Sequence, residues 1–433
     1  MKVSGVITEY NPFHNGHKYQ LDKIREESQA DYIIVAMSGN FVQRGTPAFI
    51  DKYTRAEMAL NCGADLILEI PVLGATASAE GFARAGVLTL ASTGILSTLC
   101  YGVEKKSGLL SELADFLLSP CEEFNDAITS CIKSGDSFPA ARAKAVSRCF
   151  PDASNELIQN MLSTPNNILA IEYEKALKGT GIAGHQIERV GEGYHSVSLS
   201  SNFASASAIR AAAAGGCPAS EISKYMPDKA YEVLLSHTKA LSGSNEKTAC
   251  VLPDDISQIL LYKLLSFSVS GRNDAFCDFS DCTEELSAKI ANNIYNYRSF
   301  SQFCDLLKRK NYTHTRISRI LTHILLDIKK SDADAFARLL SAPQTVPYLR
   351  VLGFKKSSSQ LLHEIKEKAS APLITKVADA SSLMTSSSYE TFKKDIFASD
   401  IYRSLLYSKL SETEARQFGS SPNEYTQQLV IVP

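Results

Sequence analysis

Over its first two hundred residues the chain alternates short apolar runs with stretches of helical spacing. Lys2–Thr8 (KVSGVIT) and Tyr32–Met37 (YIIVAM) have the near-continuous apolar character of strands buried on both faces. Leu66–Glu69 and Leu99–Tyr101 read as a third and a fourth strand. Between them, Lys18–Glu27, Lys52–Asn61 and Ala79–Leu90 carry helical spacing and good helix formers. Strands alternating with helices predict an α/β domain with a doubly wound parallel sheet, whose ligands sit beyond the carboxyl ends of the strands. Two loops open at that edge, Ser38–Gly45 and the turn from Gly102 to Lys106.

Residues 108–150 read as helical, in the manner of an insertion. Asn166–Lys178 is a further helix, Gln186–Val190 a strand, and Ala206–Ala214 a short alanine-rich helix closed by Gly215-Gly216. The polar stretch Leu241–Thr248 (LSGSNEKT) is the best linker. It divides the chain into an expected α/β domain, residues 1–240, and a mostly helical domain, residues 249–433. The latter carries helical patterns at Ile256–Phe267, Thr283–Tyr297, Phe303–Lys308 and Arg316–Lys329, without internal repeats.

Composition narrows the function classes. With 433 residues the chain has room for two or three domains. Its 45 Lys and Arg against 47 Asp and Glu give a net charge of −2, which excludes a uniformly basic binder. Hydrophobic residues at 44% and charged residues at 21% exclude wholesale disorder. No apolar run reaches the roughly 18 residues of a membrane span, and the N-terminus lacks a signal-peptide core, so a cytoplasmic protein is expected. The ten cysteines form no CxxC pair and read as reduced core thiols. Charge is nevertheless uneven. From Leu286 to Lys330 nine basic residues face only Asp305 and Asp327, with Tyr295, Tyr297 and Tyr312 interleaved. Such a segment suits phosphates and unpaired bases, or is simply a solvated helix face.

The strongest chemical signal follows the first strand. His14-Asn15-Gly16-His17 fits HxGH at the start of the first helix. Two imidazoles there meet free backbone N–H groups and the positive end of the helix dipole, an anion site suited to a triphosphate. Gly16 leaves room for close approach, and imidazoles donating to an α-phosphate stabilise charge during in-line displacement. Late in the same domain comes Ala204-Ser205-Ala206-Ser207-Ala208-Ile209-Arg210. Ser205 and Ser207 can cap the helix and donate to phosphate, and Arg210 adds a fixed charge. A Walker A pattern is missing.

HxGH with an ISSTxxR-like segment resembles the signature of the HIGH-type nucleotidyltransferase superfamily, which includes class I aminoacyl-tRNA synthetases and small adenylyltransferases. The blocks GVITEYNPFHNGH, VAMSGNFVQRGTPAFIDKYTRAEMAL, GADLILEIP, STPNNILAIEY, ASASAIR and YTHTRISRILTHILL resemble the bacterial tRNA(Met) cytidine acetate ligase family, over most of the chain. One departure is Ala206, where the wider pattern has its second serine.

The resemblance implies a HUP/Rossmann-like ATP domain and an ATP-dependent ligase. Such an enzyme activates acetate as acetyl-adenylate and acetylates N4 of the wobble cytidine of elongator tRNA(Met). It implies an ATP site along Ile7, Thr8, Glu9, Tyr10, Asn11, Pro12, Phe13, His14, Asn15, Gly16, His17, Lys18, Tyr19 and Gln20. Gly102, Asn166 and Arg189 complete it, with Ser205 and Ser207 added, and His14, His17 and Arg210 are the catalytic candidates. Spacing does not decide between Asn166 and Asn167. Ser38 and Arg44 are edge-loop candidates; Arg44 suits the acetate carboxylate, tRNA, or a salt bridge within the domain. Lys308, Arg309, Lys310, Arg316 and Arg319 are the tRNA candidates. ATP normally arrives with Mg²⁺, and no protein-held metal is expected. Two alternatives stay open: an adenylyltransferase acting on a small cofactor precursor, and a non-catalytic RNA-binding protein on this fold.

Overall fold

The computed structural model describes residues 1–136, 138–151, 153–189, 204–215, 217, 219–242, 250–269, 271–309, 312–341, 345–410 and 423–433. Its strands are β1 (Val3–Thr8), β2 (Tyr32–Ser38), β3 (Phe41–Val42), β4 (Thr46–Pro47), β5 (Leu66–Ile70) and β6 (Thr98–Val103). After them come β7 (Ala183–Glu188), β8 (Leu349–Lys355), β9 (Leu373–Ile374) and β10 (Val430–Val432).

The main sheet runs β10-β8-β5-β2-β1-β6-β7, with β9 on β8. From β5 to β7 every pairing is parallel; Val6 of β1 lies opposite Val35 on one side and Cys100 on the other. The chain winds outward from β1 through β2 to β5, then returns to build β6 and β7 on the opposite side. The order therefore reverses between β1 and β6, the place where open α/β sheets bind ligands.

Alternation explains the continuous apolar runs. Ile7, Ile34 and Leu68 enter one core layer, while Val6, Val35 and Ile67 enter the other. Helices cover both faces. They begin with α1 (Asn15–Ser28), α2 (Lys52–Asn61), α3 (Val72–Ala75) and α4 (Ala79–Ala91). The helical segment after β6 comprises α5 (Leu109–Leu118), α6 (Glu122–Lys133), α7 (Phe138–Cys149) and α8 (Asn155–Ser163). Next come α9 (Pro165–Leu177), α10 (Ala206–Ala214), α11 (Ala219–Ile222) and α12 (Asp228–Ser242).

Leu241 and Ser242 of the polar stretch belong to α12, while residues 243–248 lie outside the described residues, as does Gly216. Beyond them are α13 (Ser257–Ser268), α14 (Glu284–Asn293), α15 (Phe300–Leu307) and α16 (His314–Leu325). This second part is mostly helical, but it also completes the sheet. β8 pairs antiparallel with β5, and β10 lies parallel on β8. β5 is buried along its whole length, so its outer edge needs a partner strand rather than solvent. The core layer containing Ile7 and Leu68 also continues into Leu260, Ile317 and Ile320 of α13 and α16. Six of the ten cysteines are buried and all are free.

Candidate active site

A cleft opens at the carboxyl ends of β1 and β6, where the strand order reverses. It holds about 1200 Å³ of empty space, part of it open to solvent, against roughly 300–1,000 Å³ for ordinary small-molecule sites. Of the residues expected to bind ATP, Ile7, Thr8, Glu9, Tyr10, Asn11, His14, His17, Gln20, Gly102, Asn166, Arg189, Ser205 and Ser207 line it, together with Arg210 and Arg44. Gly16 and Tyr19 line a side lobe that shares His14, His17 and Arg189.

The HxGH turn builds its own geometry. His14 is the N-cap of α1, in extended conformation, and its Nδ1 accepts from the Gly16 N–H at 3.0 Å. The His14 N–H in turn donates to Nδ1 of His17 at 3.3 Å, a reciprocal cap made by two imidazoles. A backbone N–H can only donate, so neither Nδ1 carries a proton. Each ring is then the neutral tautomer with its proton on Nε2. Burial, then Arg189 and Arg210, push the His14 pKa down to about 3. Burial, then His14 and Arg189, hold His17 well below its ordinary value. The two rings stack with centroids 3.8 Å apart, and Tyr10 meets His17 edge-on at 4.8 Å. Gly16 is required by the same turn: a Cβ there would lie 2.9 Å from Cε1 of His14. The space its missing side chain leaves is occupied by the imidazole.

The opposite wall comes from α10, α9 and β7. Ser205 caps α10, its Oγ accepting from the Ala208 N–H at 3.1 Å. Arg210 donates to the Asn11 carbonyl at 2.6 Å and to Ser207 Oγ at 3.1 Å, tying α10 to the turn before HxGH. Asn166 faces the cleft and donates to Glu104 Oε1 at 2.7 Å, with Arg189 Nε 3.8 Å from the same oxygen. Asn167 is buried, donates to Asn160 and accepts from the Glu104 N–H, so it shapes the loop instead. Arg44 lines the cleft from the β3–β4 turn.

Several expected residues lie elsewhere. The Phe13 ring is fully buried against Tyr10 and His17, and Pro12 is buried beside it. The Asn15 side chain donates to the Lys224 carbonyl, and Lys18 pairs with Asp22 on the outer face of α1. Ser38 is fully buried and its hydroxyl has no hydrogen-bond partner among the described residues, so of the two edge-loop candidates only Arg44 reaches the cleft.

Other residues were not anticipated. Val42, Phe82, Tyr101, Leu169 and Tyr173 give the cleft its apolar side, and Gln43 lines it beside them. Tyr173 ends the block STPNNILAIEY, so its signal was present but lay one helix turn and more beyond the asparagines. Arg55 is wholly buried and donates to the carbonyls of Glu9, Ser38, Gly39 and Ile50, pinning the ends of β1 and β2.

The basic segment divides on inspection. Lys308 and Arg309 are exposed, and Lys310 lies outside the described residues. Arg316 is half-buried over the Tyr312 ring at 5.3 Å. Arg319 keeps only 12% of its side chain exposed, with Asp281 at 3.9 Å, so it faces into the fold and does not share an open face with Arg316. Tyr297 and Tyr312 are buried, donating to Ser257 and Glu285; Tyr295 alone of the three is fully open, at 92%. Among the described residues no group of three or more His, Cys, Asp or Glu is placed to hold a metal, and no helix is long and apolar enough to cross a membrane.

Comparisons with known proteins agree with this geometry. A sequence model of the family HIGH Nucleotidyl Transferase matches residues 1–418. The tRNA(Met) cytidine acetate ligase of Thermoanaerobacter sp. (strain X514) is 39% identical over 406 residues, covering 93% of this chain and 95% of that protein. The protein of the same name from Acetivibrio thermocellus is 32% identical over 438 residues, covering 100% of both chains. Among solved structures, Thermotoga maritima TmcAL bound with alpha-thio ATP superimposes with a TM-score of 0.86 at 29% identity, and its apo form with 0.88, each covering 100% of both chains. The HxGH cap, a cleft at the reversal of strand order and matches running the length of the chain converge: this protein belongs to the HIGH nucleotidyltransferases, in the family of the tRNA(Met) cytidine acetate ligases.

Proposed function

We propose that the cleft binds ATP, normally with Mg²⁺ on its phosphates, and joins it to acetate. The observation that carries this is the reciprocal imidazole cap of α1. Its two neutral rings carry their protons on Nε2 at the phosphate-binding end of a helix, facing Arg189 and Arg210. An acetate oxygen attacks the α-phosphorus in line, the bond to the bridging oxygen breaks, and pyrophosphate leaves with the electron pair. Negative charge builds on the α-phosphoryl oxygens as this happens. Nε2–H donors fixed beforehand by backbone N–H groups stabilise that charge without reorganising. The capped end of α10, with Ser205 and Ser207, and the charge of Arg189 receive the β- and γ-phosphates.

Arg44 is the cation suited to the acetate carboxylate, with Val42 and Phe82 lining the same cleft for its methyl group. In the second step the cytidine N4 attacks the acyl carbon of the acetyl-adenylate, loses a proton, and AMP leaves. The tRNA is elongator tRNA(Met), and the product is N4-acetylcytidine at its wobble position. Residues 1–240 activate acetate; residues 249–433 hold the RNA, with Lys308, Arg309, Lys310 and Arg316 contacting its backbone. The reaction belongs in the cytoplasm, where charged tRNA is used. Incubation with ATP, labelled acetate and total tRNA, followed by nucleoside analysis, tests the proposal. Label is expected in N4-acetylcytidine; unlabelled RNA alongside acetate-independent ATP consumption would contradict it.

A further inference from the structure

The turn joining β3 to β4 is held from two sides. On the cleft side, the Gln43 N–H donates to Glu9 Oε1 at 3.0 Å, and its side chain reaches the Ala77 carbonyl at 3.4 Å. On the other side the turn rests on α16. The Gly45 carbonyl accepts from Ser318 Oγ at 2.7 Å and from Thr322 Oγ1 at 2.7 Å. Both hydroxyls are buried, at 1% and 0% exposure, and lie one turn apart on the same helix face. Serine and threonine inside helices usually donate back to their own helix four residues earlier. Here both instead address one foreign carbonyl and occupy its two lone pairs. Gly45 has φ +71°, and a Cβ on it would lie 2.4 Å from the backbone N and Cα of Arg319. The turn thus sits on bare helix backbone at a distance only glycine permits.

Arg44 is the residue immediately before this fixed carbonyl. We propose that Ser318 and Thr322 are positioning residues for the small carboxylate substrate. By clamping the Gly45 carbonyl, which belongs to the Gly45–Thr46 peptide, they hold the turn from which Arg44 reaches into the cleft. The inference rests on the reading of Arg44 as the acetate-binding cation. It gives α16, a helix of the RNA-holding half, a direct part in acetate activation before any RNA is bound.

The test is acetate-dependent, RNA-free pyrophosphate exchange, with KM measured separately for acetate and ATP. Thr322→Val removes one hydroxyl at constant shape, Thr322→Ser keeps it, and Ser318→Ala with Thr322→Val removes both. The double variant is expected to raise the acetate KM on the order of tenfold, with the ATP KM within about twofold of wild type. Thr322→Ser is expected to stay close to wild type. A merely structural stitch would not separate the two substrates. An unchanged acetate KM in the folded double variant overturns the inference, as does an equal rise for both substrates. If the double variant does not fold, Thr322→Val alone is read against Thr322→Ser by the same criteria. Arg44→Ala distinguishes the two failures. If it raises the acetate KM while the hydroxyl variants do not, the clamp is wrong and the acetate reading stands. If Arg44→Ala leaves the acetate KM unchanged, both fall.

Discussion

At the scale of single residues, the site depends on two histidines being neutral. Imidazolium rings would not accept the Gly16 and His14 N–H groups, so protonation and the cap exclude one another. His17→Ala is therefore expected to lower turnover on the order of 10²-fold or more with modest loss of ATP affinity, because the donor acts on charge that develops in the transition state. Adenylate formation at the wild-type rate would contradict it. Stability has a definite sign. The folded pKa of each ring lies below the ordinary 6.5, so as pH falls through that value the unfolded chain takes up protons the folded chain refuses. Stability contributed by the neutral rings is present above about pH 6.5 and is lost on acidification. A His14→Gln, His17→Gln variant should lose less stability than wild type between about pH 7 and pH 5, measured by urea unfolding.

His14, Gly16 and His17 were legible in the sequence because strand, motif and helix are contiguous there. The direction of Asn166 and Asn167 was not, because successive residues at a helix start differ by rotation that only the loop of Glu104 fixes.

At the scale of elements, α16 shows how charge counting misleads. Spacing of three residues places Arg316 and Arg319 on one face, but that face turns partly toward Asp281 and the Gly45 turn. Arg319→Glu is expected to destabilise the protein by about 2 kcal/mol in urea unfolding, since it sets a carboxylate beside Asp281 in a largely buried place. Arg316→Glu with Lys308→Glu should instead leave the protein folded. Acetylation of tRNA should fall at least tenfold and become more salt-sensitive, with RNA-free pyrophosphate exchange near normal. An equal loss of both activities would place these side chains in the fold and not at the RNA.

The central parallel strands β1, β2 and β5 could be read directly, since burial on both faces makes them continuous apolar runs. β7, AGHQIE and largely open at the sheet edge, could be read only in part: it runs Ala183–Glu188 and not from Gln186 to Val190, and Val190 itself lies outside the described residues. β8 could not. Its sequence LRVLGFK carries Arg350 and Lys355, and its partner β5 lies far away in the chain, so nothing local marks it as a sheet edge.

At the scale of the whole molecule, segments far apart in the chain meet near the carboxyl end of β5. Lys52 on α2 is fully buried and its Nζ lies 2.9 Å from Glu69 of β5 and 3.0 Å from Glu424, close before β10. Burial alone would depress the Lys52 pKa, but Glu424 and Glu69 hold it above its ordinary value. Arg350 of β8 approaches the same Glu424 at 3.8 Å. Removing one partner leaves buried carboxylates uncompensated. Lys52→Met is expected to cost roughly 3–5 kcal/mol in urea unfolding, and a much smaller loss would show the cluster to be wet and weak.

Glu69 lies level with Met37 of β2 and Thr8 of β1, so this cluster braces the same carboxyl edge of the sheet at which the cleft opens, and on the proposed mechanism the first step in that cleft needs no RNA. Exchange of labelled pyrophosphate into ATP, with acetate present and RNA absent, tests this most directly. Wild-type protein should exchange label only when acetate is added, and His17→Ala should lose that exchange on the order of 10²-fold. Exchange that ignores acetate, or survives intact without His17, would contradict acetate activation at the imidazole cap of α1.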